Sequence, residues 1–371
     1  MENMEVKVKN KELIEKKDIG YIHLKAKDVF EKLSGRSVLL TGAGGFLGYY
    51  LIKAILDWND KNKNKIFLTA LSNFRSGIPL WMTASKNRAD FKIIRGDIVN
   101  YVLPSNVAFD HIIHAASIAS PTFYRLYPID TINSNVQGLY LILNYMIKRN
   151  KTTRPVKGLL FFSSSEVYGD PTEGNIPTPE TYRGNVSFTG PRACYDESKR
   201  FCETLCVNYS KVYNLSIMIA RPFNNYGPGM KMTDGRVIAD FSRNILQNKD
   251  IIMFSNGNPS RTFCYVVDGL VGYLKILARG RNSEAYNIGT EKPEISMKDL
   301  ALKMARIGRQ EFGYKGKVIT KLNKDKNYLT DNPQRRCPKI QKARRELGYN
   351  PEITLEEGLR RVMIWYRETK L

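Results

Sequence analysis

A phenol and an ammonium group lie four residues apart near the middle of the chain, in Tyr195-Asp-Glu-Ser-Lys199. If this segment is helical, both side chains lie on one face, one turn apart. A lysine lowers the pKa of a neighbouring phenol, so a tyrosinate can take a proton from an alcohol while hydride leaves for an acceptor. The pair therefore predicts oxidation and reduction of a hydroxyl group.

The same spacing occurs near the N-terminus, between Tyr21 and Lys25, so spacing alone does not identify a site. Tyr195 differs because an upstream strand ends in hydroxyl side chains, in the sequence Phe-Ser-Ser-Ser-Glu-Val-Tyr-Gly. We predict that Ser164, or Ser165 beside it, hydrogen-bonds both Tyr195 and the substrate oxygen. This arrangement would form a catalytic group of serine, tyrosine and lysine.

A glycine-rich turn, Thr-Gly-Ala-Gly-Gly-Phe-Leu-Gly, lies much earlier in the chain, between an apolar run and an apolar helical stretch. Gly42 permits a tight turn, Gly45 lets the backbone approach a pyrophosphate, and Gly48 lets the helix pack closely on a sheet. The helix N-terminus adds unpaired N–H groups and the positive end of a dipole. The turn predicts dinucleotide binding by Gly42, Gly45, Phe46, Leu47 and Gly48.

The second predicted strand lacks the terminal carboxylate that usually binds the adenosine ribose of NAD. Ser72 and Asn73 lie there instead, and Ser72 can hydrogen-bond a diol, whereas Arg75 could receive a 2′-phosphate. NAD is preferred to NADP as the cofactor. Asp97, with Ile98 beside it, is placed to accept from the adenine amino group, although a strand-end turn residue would explain it nearly as well. The backbone after the fourth strand predicts two further cofactor contacts, Ala115 and Ala116.

Apolar runs of strand type alternate with helical stretches through much of the chain, as in α/β proteins with a doubly wound parallel sheet of Rossmann type. After Pro222 the alternation fades, which predicts a smaller C-terminal α/β lobe for the substrate. The predicted strands are 37–41, 66–71, 91–95, 109–114, 158–163 and 215–220, with a helix at 46–58. The predicted domains are an N-terminal helical arm at 1–35, a dinucleotide-binding domain at 36–222 to which later segments return, and a substrate lobe mainly at 223–371.

The composition argues against several other classes of protein. The chain has 371 residues and a formal net charge of +22, but Lys and Arg are spread along it without a nucleic-acid-binding motif. Its five cysteines contain no Cys-x-x-Cys pair and it has only three histidines, which fits free thiols in a reducing compartment better than a zinc site. No apolar run resembles a signal peptide or a membrane span. We expect a cytoplasmic protein without metal, nucleic acid or membrane as partners.

Several segments resemble the extended short-chain dehydrogenases that modify nucleotide sugars, which form the NAD-dependent epimerase/dehydratase family. The glycine turn, the Ser-Ser-Glu-Val-Tyr-Gly segment and the Tyr-x-x-x-Lys pair carry this resemblance. From residue 36 to the C-terminus the chain is most similar to the UDP-glucuronate decarboxylases. The segments that carry this closer similarity are Ala119–Pro121, Gly190–Arg200, Arg221–Pro228, Met230–Val237, Asn332–Pro338 and Leu347–Leu359.

The resemblance implies NAD-dependent decarboxylation of UDP-glucuronate to UDP-xylose through a 4-keto intermediate. Oxidation at C4 places a ketone beta to the C6 carboxylate, and a beta-keto acid loses carbon dioxide readily because the resulting carbanion is an enolate. Arg261 matches the family arginine near that carboxylate, and its planar guanidinium suits the role. Glu166 matches the family acid that assists decarboxylation or reprotonation. Ser165 lies where 4,6-dehydratases carry an aspartate, which argues against dehydration.

The resemblance also implies substrate contacts and an oligomeric state. Family members pair through the helix that carries Tyr195 and Lys199 and through its neighbour near Asn135 to Met146, so a homodimer is expected. The implied contacts with the nucleotide sugar are Pro121, Asn224, Arg236, Val237 and Arg261.

Departures from the family pattern leave alternatives open. Ser198 replaces a glycine, Lys339 replaces an aspartate, and the ribose carboxylate is absent. The chain could instead be a C4 epimerase, a C4 oxidoreductase or a 4,6-dehydratase that acts on another nucleotide-activated sugar. Arg261 could clamp a diphosphate, and Glu166 could be a buried structural partner. A nucleotide-binding scaffold that binds RNA is a further alternative, but such a protein has no need of the serine, tyrosine and lysine.

Overall fold

The computed structural model describes residues 10–75, 77–321, 323, 325 and 330–369. Its helices are α1 (Asn10–Lys25), α2 (Lys27–Leu33), α3 (Phe46–Lys61), α4 (Leu80–Thr83), α5 (Pro121–Leu126), α6 (Pro128–Asn150), α7 (Ala193–Tyr213), α8 (Val237–Leu246), α9 (Val266–Arg279), α10 (Met297–Phe312), α11 (Gln341–Leu347) and α12 (Leu355–Glu368). Its strands are β1 (Ser37–Thr41), β2 (Phe67–Ser72), β3 (Phe91–Arg95), β4 (His111–His114), β5 (Gly158–Phe162), β6 (Ile217–Pro222), β7 (Asn225–Tyr226), β8 (Ile251–Met253), β9 (Ser260–Arg261), β10 (Cys264–Tyr265), β11 (Ala285–Ile288), β12 (Ile295–Ser296), β13 (Val318–Thr320) and β14 (Arg335–Arg336). Short 3₁₀ helices lie at Ser165–Tyr168 and Glu173–Asn175.

Seven strands form one parallel sheet in the order β3-β2-β1-β4-β5-β6-β11. The chain winds outward from β1 to β3 on one side and then from β4 onward on the other, so the strand order reverses between β1 and β4. In such sheets, ligands bind beyond the carboxyl ends of the strands at this reversal. The fold is the doubly wound parallel sheet of Rossmann type that the sequence predicted.

Alternate side chains of the strands enter two hydrophobic cores, one on each face of the sheet. Leu40 of β1 belongs to a core that includes buried residues of α3 and α9, whereas Leu39 belongs to a core that includes α6 and α7. The strands are apolar on both sides because helices cover both faces. α7 packs against α6 and β6, and Lys199 in its first turns donates to the carbonyl of Phe162 at the end of β5.

The predicted elements differ from the observed ones by a few residues at their ends. β1 and β3 have the predicted bounds, while β2, β5 and β6 shift by one or two residues and β4 begins later, at His111. α3 continues past the predicted end to Lys61. Asn59 is fully buried there, and its side chain donates to the carbonyl of Ile66 at 2.8 Å, so this last turn is anchored to the start of β2.

The segment after Pro222 divides between two parts of the molecule. β11 joins the edge of the large sheet beside β6, and α9 packs on that sheet. The small sheets β10-β7, β12-β9-β14 and β13-β8, together with α8, α10 and α12, form a smaller α/β assembly. The predicted domain boundaries remain a prediction, with β11 and α9 as the returning segments.

The N-terminal arm, α1 and α2, packs against helices of both parts of the chain; residues 1–9 lie outside the described residues. Asp18 of α1 is fully buried and accepts hydrogen bonds from Tyr50 at 2.5 Å and Tyr265 at 2.7 Å. It also pairs with Arg361 of α12 at 2.6 Å. The arm therefore connects α3, which follows the glycine turn, with the C-terminal elements.

Candidate active site

The glycine turn between β1 and α3 has the close backbone approach that the sequence predicted. Gly42 has a φ of +71°, and a Cβ there would lie 2.7 Å from the main chain of Ala115. A Cβ on Gly48 would lie 2.1 Å from the carbonyl oxygen of Ala43. Neither position can take a larger residue without backbone movement. α3 begins at Phe46 without a side-chain cap, so its first amides are available to an anion.

A cleft of about 2160 Å³ extends from this turn along the carboxyl ends of the strands to the C-terminal elements. Asn73 donates to Asp97 at 3.3 Å, and Asp97 also accepts from the N–H of Val99 at 3.2 Å. Gly48 does not line the cleft, because it lies beneath the start of α3. The other predicted cofactor residues outside the catalytic group all line it: Gly42, Gly45, Phe46, Leu47, Ser72, Asn73, Asp97, Ile98, Ala115 and Ala116.

The structure brings Ser164, Tyr195 and Lys199 together in the wall of this cleft. Lys199 on α7 donates to the carbonyl of Phe162, the last residue of β5, at 2.8 Å. Its Nζ lies 5.8 Å from the ring centroid of Tyr195. Ser164 follows β5 and accepts from the N–H of Glu166 at 3.2 Å, and its hydroxyl lies close enough to Tyr195 to lower the pKa of the phenol. The end of β5 and the first turns of α7 thus create the arrangement that the spacing suggested.

Burial changes the proton affinity of both ionisable members of this group. It raises the pKa of Tyr195 to about 12, although the nearby hydroxyl of Ser164 offsets part of this rise. It lowers the pKa of Lys199 to about 8. Both shifts disfavour the charged form, and a positive charge bound beside Tyr195 would favour the tyrosinate again.

A second tyrosine, which the sequence did not single out, fixes the plane of the Tyr195 ring. Tyr124 on α5 stacks on Tyr195 with ring centroids 4.9 Å apart and planes 10° apart. Its side chain is buried, and the guanidinium of Arg192 lies 5.7 Å from its ring centroid. Cys194 donates from Sγ to the carbonyl of Tyr124 at 3.4 Å, which ties α5 to α7.

Glu166 is buried between two arginines. Arg336 contacts both carboxylate oxygens at 2.5 Å, and Arg192 donates to one of them. Burial alone would raise the pKa of Glu166, but the charges of Arg192 and Arg336 lower it far below its usual range. Glu166 is therefore a carboxylate at neutral pH, with both oxygens bound. Its role in decarboxylation or reprotonation stays a prediction, as does the role of its neighbour Ser165, which lines the cleft.

Asp196 shares Arg192 with Glu166, at a distance of 3.6 Å from Nε to Oδ2. Burial and the negative charge of Glu166 raise the pKa of Asp196. The two carboxyl groups therefore differ in their affinity for a proton, although one arginine contacts both of them. The cluster of Glu166, Asp196, Arg192 and Arg336 adjoins the Ser–Tyr–Lys group.

Sequence reasoning did not select Arg192, Asp196, Arg336 or Tyr124. Arg192 and Asp196 lie in Gly190–Arg200, and Arg336 lies in Asn332–Pro338. Both segments resemble decarboxylases, and this resemblance was the signal in the sequence that could have identified the three residues. Nothing in the sequence indicated that these two segments meet at Glu166. The residues around Tyr124 gave no sign of a role in the site, because an aromatic residue on the apolar face of a short helix is expected from packing alone.

Arg261 lines the same part of the cleft, but its guanidinium is directed mainly at the main chain. It donates to the carbonyls of Ser260 at 2.7 Å and Gln334 at 3.1 Å, and also to that of Pro333. Burial and the charge of Arg336 lower the pKa of Arg261 to about 9. Its predicted contact with a substrate carboxylate stays a prediction.

The other predicted substrate residues line the cleft nearer the C-terminal elements. Pro121 begins α5, and Asn224 has the unusual φ of +37°. Arg236 pairs with Asp234 at 2.9 Å, and Val237 begins α8 directly after it. All four therefore lie where they can contact a ligand that extends from the catalytic group.

The tyrosine and lysine with matching spacing in the arm have structural partners. Tyr21 donates to Asp268 at 2.6 Å, and Lys25 pairs with Glu352 at 2.6 Å. Neither residue lines the cleft. The same Tyr-x-x-x-Lys spacing therefore has a structural role in α1, whereas in α7 it forms part of a candidate active site.

Within the part of the chain that the structure describes, no three His, Cys, Asp or Glu side chains form a group that could bind a metal ion. All five cysteines are free thiols. In the same residues, no helix combines the length and the apolarity that crossing a bilayer requires. The expected absence of metal and membrane partners remains a prediction.

Residues 38–289 match the model of the NAD dependent epimerase/dehydratase family. UDP-glucuronic acid decarboxylase 1 of Xenopus tropicalis is 35% identical over 337 residues, which cover 90% of this chain and 72% of that protein. UDP-glucuronic acid decarboxylase 3 of Arabidopsis thaliana is 34% identical over 322 residues, 87% of this chain and 86% of its own length.

Two solved structures show the same fold. The dTDP-glucose 4,6-dehydratase of Streptomyces venezuelae, bound to NAD, has a TM-score of 0.76 at 24% identity and covers 90% of this chain and 97% of its own. The UDP-glucuronic acid 4-epimerase of Bacillus cereus, bound to UDP-glucuronic acid and NAD, has a TM-score of 0.70 at 23% identity, with coverage of 90% and 100%. With the glycine turn and the Ser–Tyr–Lys group in one cleft, these matches establish that the chain is an NAD-dependent enzyme of the epimerase/dehydratase family.

Proposed function

We propose that the protein decarboxylates UDP-glucuronate to UDP-xylose through a 4-keto intermediate. The observation that carries the proposal is the pair of arginines, Arg192 and Arg336, beside the Ser–Tyr–Lys group. An alcohol oxidation site next to buried cations suits a substrate with a hydroxyl and a carboxylate close together. Relatives named UDP-glucuronic acid decarboxylases support the same substrate.

The residues of the cleft fit a dinucleotide. A Cβ at Gly42 or Gly48 would meet backbone, so the turn stays open to a pyrophosphate at the start of α3. Lys199 and Tyr195 would lie at the nicotinamide end, and Ser72 at the adenosine end. Bound NAD supplies a hydride acceptor that is regenerated within one turnover.

Proton transfer at C4 belongs to Tyr195 in this proposal. The phenolate takes the proton of the C4 hydroxyl, and Ser164 hydrogen-bonds the same oxygen. The buried ammonium of Lys199 favours the phenolate electrostatically. When the ketone is reduced again, Tyr195 returns the proton to the C4 oxygen.

We place the substrate carboxylate against Arg336. The two Nη atoms of Arg336 bind Glu166, whereas its Nε is buried and has no hydrogen-bond partner among the described residues, so one donor of this arginine is unused. Loss of carbon dioxide breaks the bond between C5 and C6, its electron pair forms the enolate, and C5 then takes a proton. Arg261, which binds the main chain of the segment before Arg336, remains the second candidate for the carboxylate.

The first experiment is incubation of the purified protein with UDP-glucuronate and NAD, followed by mass spectrometry of the nucleotide sugar. We expect the loss of one carbon dioxide, and Tyr195→Phe should lower turnover by about 10² to 10⁴-fold. Arg309→Ala, on the exposed face of α10, serves as the control. Unchanged UDP-glucuronate with a folded, NAD-binding protein would contradict the proposal.

Arginine variants assign the carboxylate contact. If Arg336 binds it, Arg336→Lys should mainly lower kcat on UDP-glucuronate, because a lysine cannot hold both oxygens of Glu166 and still offer a donor to the substrate. Arg261→Lys should then mainly lower the stability of the protein, since Arg261 donates to main-chain carbonyls. If Arg261→Lys mainly lowers kcat and Arg336→Lys mainly lowers stability, the substrate carboxylate binds Arg261, as the sequence predicted.

The alternative function is C4 epimerisation of another nucleotide-activated sugar. The same fold in the UDP-glucuronic acid 4-epimerase is compatible with it, because both reactions begin with oxidation at C4. An epimerase retains every carbon atom. The mass of the product therefore separates the two functions in the experiment above.

We further propose a homodimer through α6 and α7. Several large apolar side chains of these helices are exposed, among them Ile129, Phe201 and Tyr213. A second copy packed there would bury them and form a four-helix contact. Sedimentation should give twice the monomer mass of 42.5 kDa, and Phe201→Glu should shift it toward the monomer. A monomeric wild-type protein would exclude the dimer.

A cytoplasmic location is the remaining proposal. All five cysteines are free, and four of them are buried, which suits a reducing compartment. Fractionation of cells that express the tagged protein should place it with cytoplasmic markers; a secreted or membrane-bound fraction would exclude it.

A further inference from the structure

The adenosine end of the cleft has an unusual side chain at the carboxyl end of β2. A carboxylate at this position binds the ribose hydroxyls of NAD and repels a 2′-phosphate. Here the residue is Ser72, and its Oγ lies 3.2 Å from where a Cβ on Gly44 would be. Ser72 therefore lies directly against the glycine turn, with a hydroxyl that can donate to a ribose oxygen or to a phosphate.

Two arginines flank Ser72. Arg95, the last residue of β3, is paired in register with Ser72, so its side chain leaves the sheet on the same face. Arg95 is exposed and has no ion-pair partner among the described residues. Arg75 follows Ser72 after a turn at Phe74, where φ is +46°, and lines the cleft. A serine and two arginines provide the donors that a phosphate monoester needs.

Two aspartates oppose these cations. Asp130 pairs with Arg75 at 3.3 Å, but both side chains are about half exposed, 58% for Arg75 and 49% for Asp130, and such pairs exchange readily with another anion. Asp97 already accepts hydrogen bonds from Asn73 and from the main chain. Neither carboxylate occupies the position at the end of β2.

We propose that Ser72, Arg75 and Arg95 form a binding subsite for the 2′-phosphate of NADP, so that the protein binds NADP as well as NAD. The phosphate would lie beside the hydroxyl of Ser72 and displace Asp130 from Arg75. The proposal concerns the dinucleotide alone and does not depend on which sugar nucleotide is the substrate.

The test is calorimetric titration of NAD, NADP and 2′,5′-ADP into protein freed of bound dinucleotide, so turnover plays no part. We expect the wild-type protein to bind NAD and NADP within about tenfold of one another. Arg75→Ala should weaken NADP and 2′,5′-ADP by about tenfold and NAD by less than about threefold. Ser72→Asp should weaken the binding of NADP further but leave the binding of NAD intact, because it places a carboxylate at the end of β2.

NAD binding in each variant shows that the site is folded, and Arg309→Ala in α10 controls for the loss of one exposed positive charge. The proposal fails if wild-type protein binds NAD but not NADP at millimolar concentration. It also fails if Arg75→Ala weakens both dinucleotides equally, or if Ser72→Asp leaves NADP binding unchanged. High salt should weaken NADP more than NAD, since the additional contact is between charges.

Discussion

The orientation of a single aromatic ring determines where a tyrosinate can accept a proton. Tyr195 is on a helix, so its Cα is fixed, but the ring still needs a neighbour that sets its plane. Tyr124 provides a flat contact surface at 4.9 Å, and Arg192 lies 5.7 Å from the Tyr124 ring centroid. Tyr124 is in this sense a positioning residue, because it acts through Tyr195.

Tyr124→Leu should lower kcat by about 10 to 10²-fold with little change in KM, because a misplaced phenol impairs proton transfer but not substrate binding. Tyr124→Phe should restore most of kcat, since it keeps the stacking surface. Steady-state kinetics of both variants check this. Equal losses in the two variants would mean that the hydroxyl of Tyr124, not its ring, is what matters.

At the scale of elements, one carboxylate connects the starts of two neighbouring strands. Asp110, just before β4, accepts from the N–H of Ser37 at 2.9 Å and pairs with Lys157 at 2.8 Å. Burial would raise its pKa, but the contacts with Lys157 and Ser37 lower the pKa of Asp110 to about 2. These contacts align β1 with β4, the two strands between which the strand order reverses.

Asp110→Asn should reduce the free energy of unfolding by roughly 1 to 2 kcal/mol at pH 7. A pKa that folding lowers contributes stability above the ordinary aspartate pKa, and this contribution is lost as pH falls toward about 2. The difference between variant and wild type should therefore shrink from pH 5 to pH 3. Urea unfolding across this range measures it, with Glu12→Gln, exposed on α1, as the control. A difference independent of pH would contradict the assignment.

At the scale of the whole molecule, the arm links the dinucleotide-binding sheet to the C-terminal elements. Asp18 is the centre of that link, because Tyr50, Tyr265 and Arg361 all contact it. Glu15, one turn earlier, accepts from Trp365 of α12 at 3.0 Å and contacts Tyr49 of α3.

Asp18→Ala should destabilise the protein by about 3 to 5 kcal/mol, because it removes the acceptor of two buried tyrosine hydroxyls and leaves the buried Arg361 with Glu357 alone. Hydrogen exchange should then increase in α1 and in α12 together. Lys16→Ala, which is exposed on the same helix and has no ion pair among the described residues, is the matched control. A loss of protection confined to α1 would show that the arm does not stabilise the C-terminal elements.

The sequence by itself determined the features that depend on local backbone and spacing. The glycine turn, the strand runs and the Tyr195 and Lys199 pair each lie within a short segment, so residue type and spacing sufficed to predict the fold and one side of the cleft. The sequence did not separate this pair from Tyr21 and Lys25 by spacing alone. The hydroxyl side chains at the end of β5 made that distinction.

Only the tertiary structure decided which charged groups meet. Arg336 contacts Glu166 although the two are 170 residues apart, and no local pattern encodes that distance. Tyr124 reaches Tyr195 because α5 packs against α7, and Arg261 donates to main-chain carbonyls because β14 lies beside β9. The physical reason is that charge pairing and ring stacking depend on separation in space, which folding sets once all the elements have packed.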